Sequence, residues 1–348
     1  MTTELIKITD PTDNGAKEAL ARAAKILLRG GLVVMPTETV YGLGGNGLNE
    51  NAAKKIYEAK GRPGDNPLIL HIEKPEDAEK YCHTSPLYFA LAKAFMPGPL
   101  TVIMPKKDIV PLTVTAGLST VAVRCPEHKV ANALIKATGI PIAAPSANLS
   151  GKPSPTNAKY VMEDMDGRVD MIIDGGECEI GLESTIVMIE NDTITLLRPG
   201  AITYDALSLV CENVKIADAV LEMLKENEKP LSPGMKYKHY APATPLILLD
   251  GDDAAQAAFL KNEIKEKKCA ILCYDEEEST LKDKNSFLIP IGMREDLASH
   301  ARRLFTALRD ADKLDCDVIY AHLPPKEGLG LALYNRMIRA AAHTILKV

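Results

Sequence analysis

Short apolar runs alternate with stretches of helical period along most of the 348 residues. Leu20, Ala24, Leu27 and Leu28 recur at helical spacing after Asp13 and Asn14, either of which can cap a helix, and Gly30-Gly31 close it. The run 32–36 then reads as a buried strand, and further strands are expected at 68–72, 100–104, 120–124, 140–144 and 170–174. TIVMIE and TITLLR flank Asn191-Asp192, the signal of a tight hairpin. Helical stretches lie between many of these runs, so residues 1–224 are expected to form an α/β domain on a mixed sheet.

The pattern breaks near residue 225. Residues 225–245 hold four prolines and no sustained period, which marks a linker. Regular alternation then resumes. Strands are expected at 246–250, 269–274, 286–291 and 318–323, with helices at 253–266, 294–313 and 329–346. Residues 246–348 therefore read as a smaller parallel-sheet domain.

Bulk properties narrow the function. The formal net charge is −6, which argues against broad nucleic-acid binding as the main activity. Tryptophan is absent and aromatics make up 5%, so a base-stacking platform is not expected. The seven cysteines form no C-x-x-C pair and are expected to be reduced, buried thiols. The first ten residues lack the regions of a signal peptide, and no apolar run approaches the ~20 residues of a membrane span. A cytoplasmic protein without a membrane partner is expected.

The candidate chemistry begins at Tyr41-Gly-Leu-Gly-Gly-Asn-Gly47, whose glycines fit the G-x-G-x-x-G of dinucleotide sites. A dinucleotide fingerprint follows its strand directly and opens a helix. Here residues 37–41 intervene and helical pattern starts only near Asn49, so that context fails. The glycines instead serve tight backbone turns or another ligand loop. Downstream, Lys60 and Arg62 lie just past a helix in a proline-fixed loop, either as a solvated helix end or as a phosphate grip. Ser146, Asn148, Ser150 and Ser154 crowd the turn after the strand 140–144. Small polar residues at a strand end can be ordinary loop hydroxyls, but open α/β sheets also place ligands there.

Together these segments resemble the threonylcarbamoyl-AMP synthase family, whose catalytic unit is the YrdC domain. The resemblance rests on Lys60-x-Arg62 with a distant Ser146-x-Asn148. Around them stand PTETVYGLG (36–44), NPLI-x-H (66–71), TVAVRCP (120–126), APSAN-SG (144–151), ESTIV (183–187) and LRPG (197–200). SPGMKYKHYAP (232–242) resembles the linker of the longer family members. The implied fold is a YrdC-like twisted mixed-sheet catalytic domain plus a Rossmann-like C-terminal domain. The implied reaction joins L-threonine, bicarbonate or CO2, and ATP into threonylcarbamoyl-AMP and pyrophosphate. That product feeds the N6-threonylcarbamoyl modification of tRNA adenosine through a separate transferase complex.

The resemblance also implies roles. Lys60, Arg62, Ser146 and Asn148 would carry the chemistry and hold ATP, with Thr120, Ser154 and Arg198 as further ATP contacts. Arg124 would take the carboxylate of threonine, and Thr37, His71, Ala144 and Ser184 would line its pocket. Without the motifs, His71 reads as a core imidazole and Ser184 as a strand-start hydroxyl. Mg2+ would arrive with ATP, held mainly by its phosphates, and a weak tRNA contact is expected. Tyr41 would wall the pocket. The linker would close over the cleft through His239 or Tyr240, or else serve as an exposed tether. Two rival readings are a nucleic-acid-binding module and a nicotinamide oxidoreductase. A third is a regulatory protein whose C-terminal domain senses a ligand.

Overall fold

The computed structural model describes residues 2–220 and 240–348. The expected linker, 225–245, lies mostly outside the described residues, as does His239. The chain divides into two compact units, Met1–Ser150 with Ser154–Lys236 and Tyr237–Val348 with Gly151–Pro153.

Eleven strands of the first unit form one mixed sheet. They are β1 Glu4–Lys7, β2 Val33–Met35, β3 Gly42–Asn46, β4 Ile69–His71, β5 Leu100–Pro105, β6 Thr120–Arg124, β7 Ile142–Ala143, β8 Met171–Asp174, β9 Thr185–Glu190, β10 Thr193–Arg198 and β11 Val214–Ile216. Their order across the sheet is β1-β8-β2-β3-β7-β4-β6-β5-β9-β10-β11. β9 and β10 pair antiparallel around Asn191 and Asp192, both at positive φ, as the hairpin signal requires.

Helix Asn14–Leu28 buries Leu20, Ala24 and Leu27, while Leu28 points outward at 49% exposure. This helix and helix Lys129–Thr138 cover one face of the sheet over β1, β8, β2 and β7. Leu70, Val102, Val121, Val123 and Val187 point to the opposite face and join a larger core with helices Glu50–Lys60, Pro86–Phe95 and Ala158–Met165. Alternation along each strand then turns Ile69, Ala122, Ile103, Ile186 and Leu197 back to the first face. There they form a separate apolar cluster to which no described helix contributes. That half of the sheet is a floor, and its edges carry the polar motifs.

The glycine run is not a turn. Gly42–Asn46 is β3, antiparallel to both β2 and β7. A Cβ at Gly44 would lie 2.8 Å from Ile142 Cγ2 and 2.9 Å from the Val33 carbonyl oxygen, and one at Gly45 would lie 2.9 Å from Ile56 Cδ1. The glycines thus let a strand pass between two neighbours and a helix, and the strand's backbone groups are taken up by pairing. Tyr41, expected to wall a pocket, is fully buried. Its hydroxyl donates to the Gly176 carbonyl at 2.6 Å and accepts from the Gly175 amide at 3.1 Å.

The second unit contains β12 Leu246–Asp250, β13 Cys269–Cys273, β14 Ser286–Pro290, β15 Val318–His322 and β16 Ile345–Lys347. They form an all-parallel sheet ordered β14-β13-β15-β12-β16, and β16 was not anticipated. Leu260 and Ile264 of helix Asp253–Glu266 pack on one face of this sheet. Tyr240, expected at the nucleotide, is buried with its ring stacked on Phe305 at 5.0 Å. Five cysteines are buried and Cys211 and Cys316 are partly exposed, all seven as free thiols. Among the described residues no helix is long and apolar enough to cross a membrane.

The close fit around β3 gives a direct expectation. Gly44→Ala should cost about 1–3 kcal/mol, because its nearest obstacles include backbone that cannot rotate away. Gly64→Ala, whose Cβ meets nothing nearer than 3.8 Å, is the control. Thermal melts of both variants test this, and equal melting temperatures would contradict the packing account.

Candidate functional site

Asn49 caps helix Glu50–Lys60 by accepting from the amides of Asn51 and Ala52, and Gly61 ends it in a left-handed conformation. This fixes Lys60 on the last turn. Its ammonium is buried, with 3% exposure, and donates to the carbonyls of Ser146 at 2.5 Å and Asn148 at 2.6 Å. The Lys60 carbonyl in turn accepts from the Ser150 amide at 2.9 Å. The two distant motifs therefore share one place, and neither is a solvated loop. Arg62 is buried too. It donates to the Asn66 carbonyl and lies over the Tyr57 ring, 5.6 Å from its centroid.

The turn carrying Ser146 is held against β3. Leu43 donates to the Pro145 carbonyl at 2.8 Å and Ala147 to that of Tyr41 at 2.8 Å. Ser146 Oγ lies 2.5 Å from Asn148 Oδ1. Ala144 is buried and its amide is committed to Ile69 O at 2.9 Å.

Strand register sets the other end. His71 of β4 and Thr101 of β5 are the partners of Arg124 in β6, so the three side chains share one face. Thr101 Oγ1 lies 2.7 Å from Ser184 Oγ. Arg198 donates from Nε to the Ser184 carbonyl at 3.0 Å and from Nη2 to its hydroxyl at 3.2 Å. Ser154 is buried and donates to Glu183 Oε1 at 2.6 Å. Thr120 opens β6 two residues before Ala122, the partner of Ile69, which puts it level with Pro67 at the Arg62 end. Four strand steps separate Thr120 from Arg124, a span of about 13 Å.

Thr37 is buried at the turn after β2. Its hydroxyl donates to the Val40 carbonyl at 2.6 Å and accepts from the amides of Thr39 and Val40. The neighbouring Glu38 was not anticipated. Its Oε1 lies 2.8 Å from Arg124 Nη2, and both side chains are 4% exposed. Burial pushes the Glu38 carboxyl up, but the charge and approach of Arg124 outweigh it and hold it below the ordinary range. His71 is fully enclosed. Burial, then the Arg124 charge, pushes its imidazole down to about 3, so the ring is neutral. Thr101, Glu183 and Asn66 were likewise not assigned from sequence. Asn66 is fully buried and neither atom of its side-chain amide has a hydrogen bond. Glu38, Asn66 and Glu183 all lie inside recognised motifs, which was the available signal. Thr101 sits in an ordinary apolar run.

The family described as "Telomere recombination", Sua5/YciO/YrdC, matches residues 25–200. The family described as "Threonylcarbamoyl-AMP synthase, C-terminal domain" matches residues 202–342. A threonylcarbamoyl-AMP synthase of Bacillus subtilis is 42% identical over 98% of both chains. One of Pyrococcus abyssi is 43% identical over 94% of this chain and 95% of its own. The crystal structure of P. abyssi Sua5 complexed with L-threonine superposes with a TM-score of 0.90 at 41% identity, covering 99% of this chain and 100% of the other.

Two consequences follow from the buried charges. The folded-state pKa of His71 lies below the unfolded value of 6.5, so its contribution to stability is complete above that pH and is lost as pH falls towards about 3. An NMR titration of the His71 ring should accordingly show no protonation between pH 7.5 and about 5, and a midpoint near 6.5 would refute the burial argument. Arg124→Met should destabilise by about 3–5 kcal/mol, because it leaves a buried carboxylate without its cation. Adding Glu38→Gln should restore most of that loss in denaturant melts.

Proposed function

The chain belongs to the Sua5/YciO/YrdC family, and from that premise we propose that it is a threonylcarbamoyl-AMP synthase. Its substrates are L-threonine, bicarbonate or CO2, and ATP, and its products are threonylcarbamoyl-AMP and pyrophosphate. The observation that carries this reading is the Lys60 ammonium bonded to the Ser146 and Asn148 carbonyls, which joins the end of a helix to the turn after β7 and so unites the two distant motifs. The P. abyssi relative complexed with L-threonine supports that amino acid as the substrate; its placement at the Arg124 end rests on the motif that carries Arg124.

Threonine places its carboxylate at Arg124, with Thr37, His71, Ser184 and Ala144 around it. Once its amine has taken up CO2, a carbamate oxygen attacks the α-phosphorus of ATP. A new P–O bond forms there, the bond from the α-phosphorus to its bridging oxygen breaks, and pyrophosphate leaves with that electron pair. The nucleophile comes from substrate, so the protein's task is positioning and charge neutralisation. Lys60 supplies a point charge and Arg62 a fork for phosphate oxygens. Thr120, Ser154 and Arg198 make further contacts to the nucleotide. Mg2+, arriving with ATP, would supply charge neutralisation at the phosphates. Ser146 Oγ and Asn148 Oδ1 are neutral oxygen donors of the kind Mg2+ accepts. Among the described residues no three His, Cys, Asp or Glu side chains converge as a metal site. The reaction is a nucleotidyl transfer in the cytoplasm. Its product passes to a separate complex that modifies tRNA, with which this chain makes at most a weak contact.

The test is to incubate the protein with ATP, Mg2+, bicarbonate and threonine and follow pyrophosphate and a threonine-containing adenylate. Omitting threonine should abolish both. Arg62→Ala and Lys60→Ala should each lower the rate by about 100-fold or more, with circular dichroism unchanged. Near-normal rates in both variants would overturn the phosphate assignment.

A further inference from the structure

Glu38 is not used in the scheme above, yet it stands against the residue assigned to threonine's carboxylate. The pair is fully desolvated, with each side chain 4% exposed and a 2.8 Å approach. Neither Glu38 oxygen nor Arg124 Nη2 completes a well-directed hydrogen bond. Burying two charges is costly, and a pair kept only for stability would be expected to recover that cost through directed bonds. Here the approach of Arg124 and of the Glu127 and Glu38 backbone amides holds the carboxyl below its ordinary range, but none of these contacts is well directed.

The other titratable groups near Glu38 are His71, His128, Cys125 and Cys178. Burial lowers both imidazoles and raises both thiols, so these four stay neutral around pH 7. Arg124 and Glu38 thus stand as one cation beside one anion, with Arg198 held on Ser184 nearby. An α-amino acid carries the complementary pair, a carboxylate and an ammonium on the same carbon.

We propose that Glu38 is a substrate-binding residue that takes the α-amine of threonine while Arg124 takes its carboxylate. The inference rests on the assignment of threonine to this cleft. It adds a selectivity that Arg124 alone could not give. A bare arginine attracts any carboxylate, whereas the Arg124–Glu38 pair repels one that brings no amine to offset the Glu38 charge. As the ammonium forms its N–C bond to CO2 it releases two protons to solvent, and the one N–H that remains still donates to Glu38 and holds the attacking group in place.

Calorimetry without ATP tests this, comparing L-threonine with (R)-3-hydroxybutyrate, which has the carboxylate and hydroxyl but no amine. The native protein should prefer threonine by about 10-fold or more, the worth of a hydrogen bond to a charged group. Glu38→Gln should narrow that preference to about threefold or less, chiefly by weakening threonine. Glu38→Asp should keep it. Equal affinity for the two ligands in the native protein would overturn the proposal while leaving the threonine assignment intact. So would a Glu38→Gln variant that weakens both ligands by the same factor, since bracing Arg124 would then explain everything. Absence of any threonine binding would sink the underlying assignment and the proposal together. Should Glu38→Gln fail to fold, the native comparison and Glu38→Asp still decide the matter.

Discussion

A buried ammonium joins two distant segments of the first unit. Lys60 holds the carbonyls of Ser146 and Asn148, residues 86 and 88 positions away, and so joins the end of a helix to the turn after β7. A buried charge without partners would be prohibitive, so the turn must supply its carbonyl dipoles wherever the helix brings the lysine. The reverse contact, Ser150 amide to Lys60 carbonyl, makes the junction reciprocal. This junction brings a cation beside the small hydroxyl and amide groups of the Ser146 turn.

The rest of the site is laid out by strand register. Alternation sends one set of side chains into the helix-covered core and the other onto a floor of Ile69, Ile103, Ala122 and Ile186. Polar residues sit at both ends of that floor, Arg62 and Thr120 at one and His71, Thr101 and Arg124 at the other. The stretch between the two ends is apolar.

Electrostatics separate those two ends. At the Lys60 end the cations meet backbone carbonyls, those of Ser146 and Asn148 for Lys60 and that of Asn66 for Arg62. At the Arg124 end a carboxylate stands beside the cation and cancels it. His71 stays neutral beside this pair because burial, and then the Arg124 charge, disfavours its protonated form.

The amino-acid sequence by itself determined most strands, the hairpin at Asn191-Asp192, the two-part α/β organisation and the pairing of Lys60-x-Arg62 with Ser146-x-Asn148. Periodicity and turn preferences are written into a few adjacent residues, and the motifs are contiguous strings, so both survive without a structure. Only the tertiary structure decided that the glycine run is an inner strand, that Tyr41 is a brace, that Leu28 faces outward, and that Glu38 meets Arg124 and Thr101 meets Ser184. The reason is distance along the chain. A glycine tells of missing space but not of what fills it, and a buried carboxylate looks like any surface acid until the fold brings its cation to within 2.8 Å.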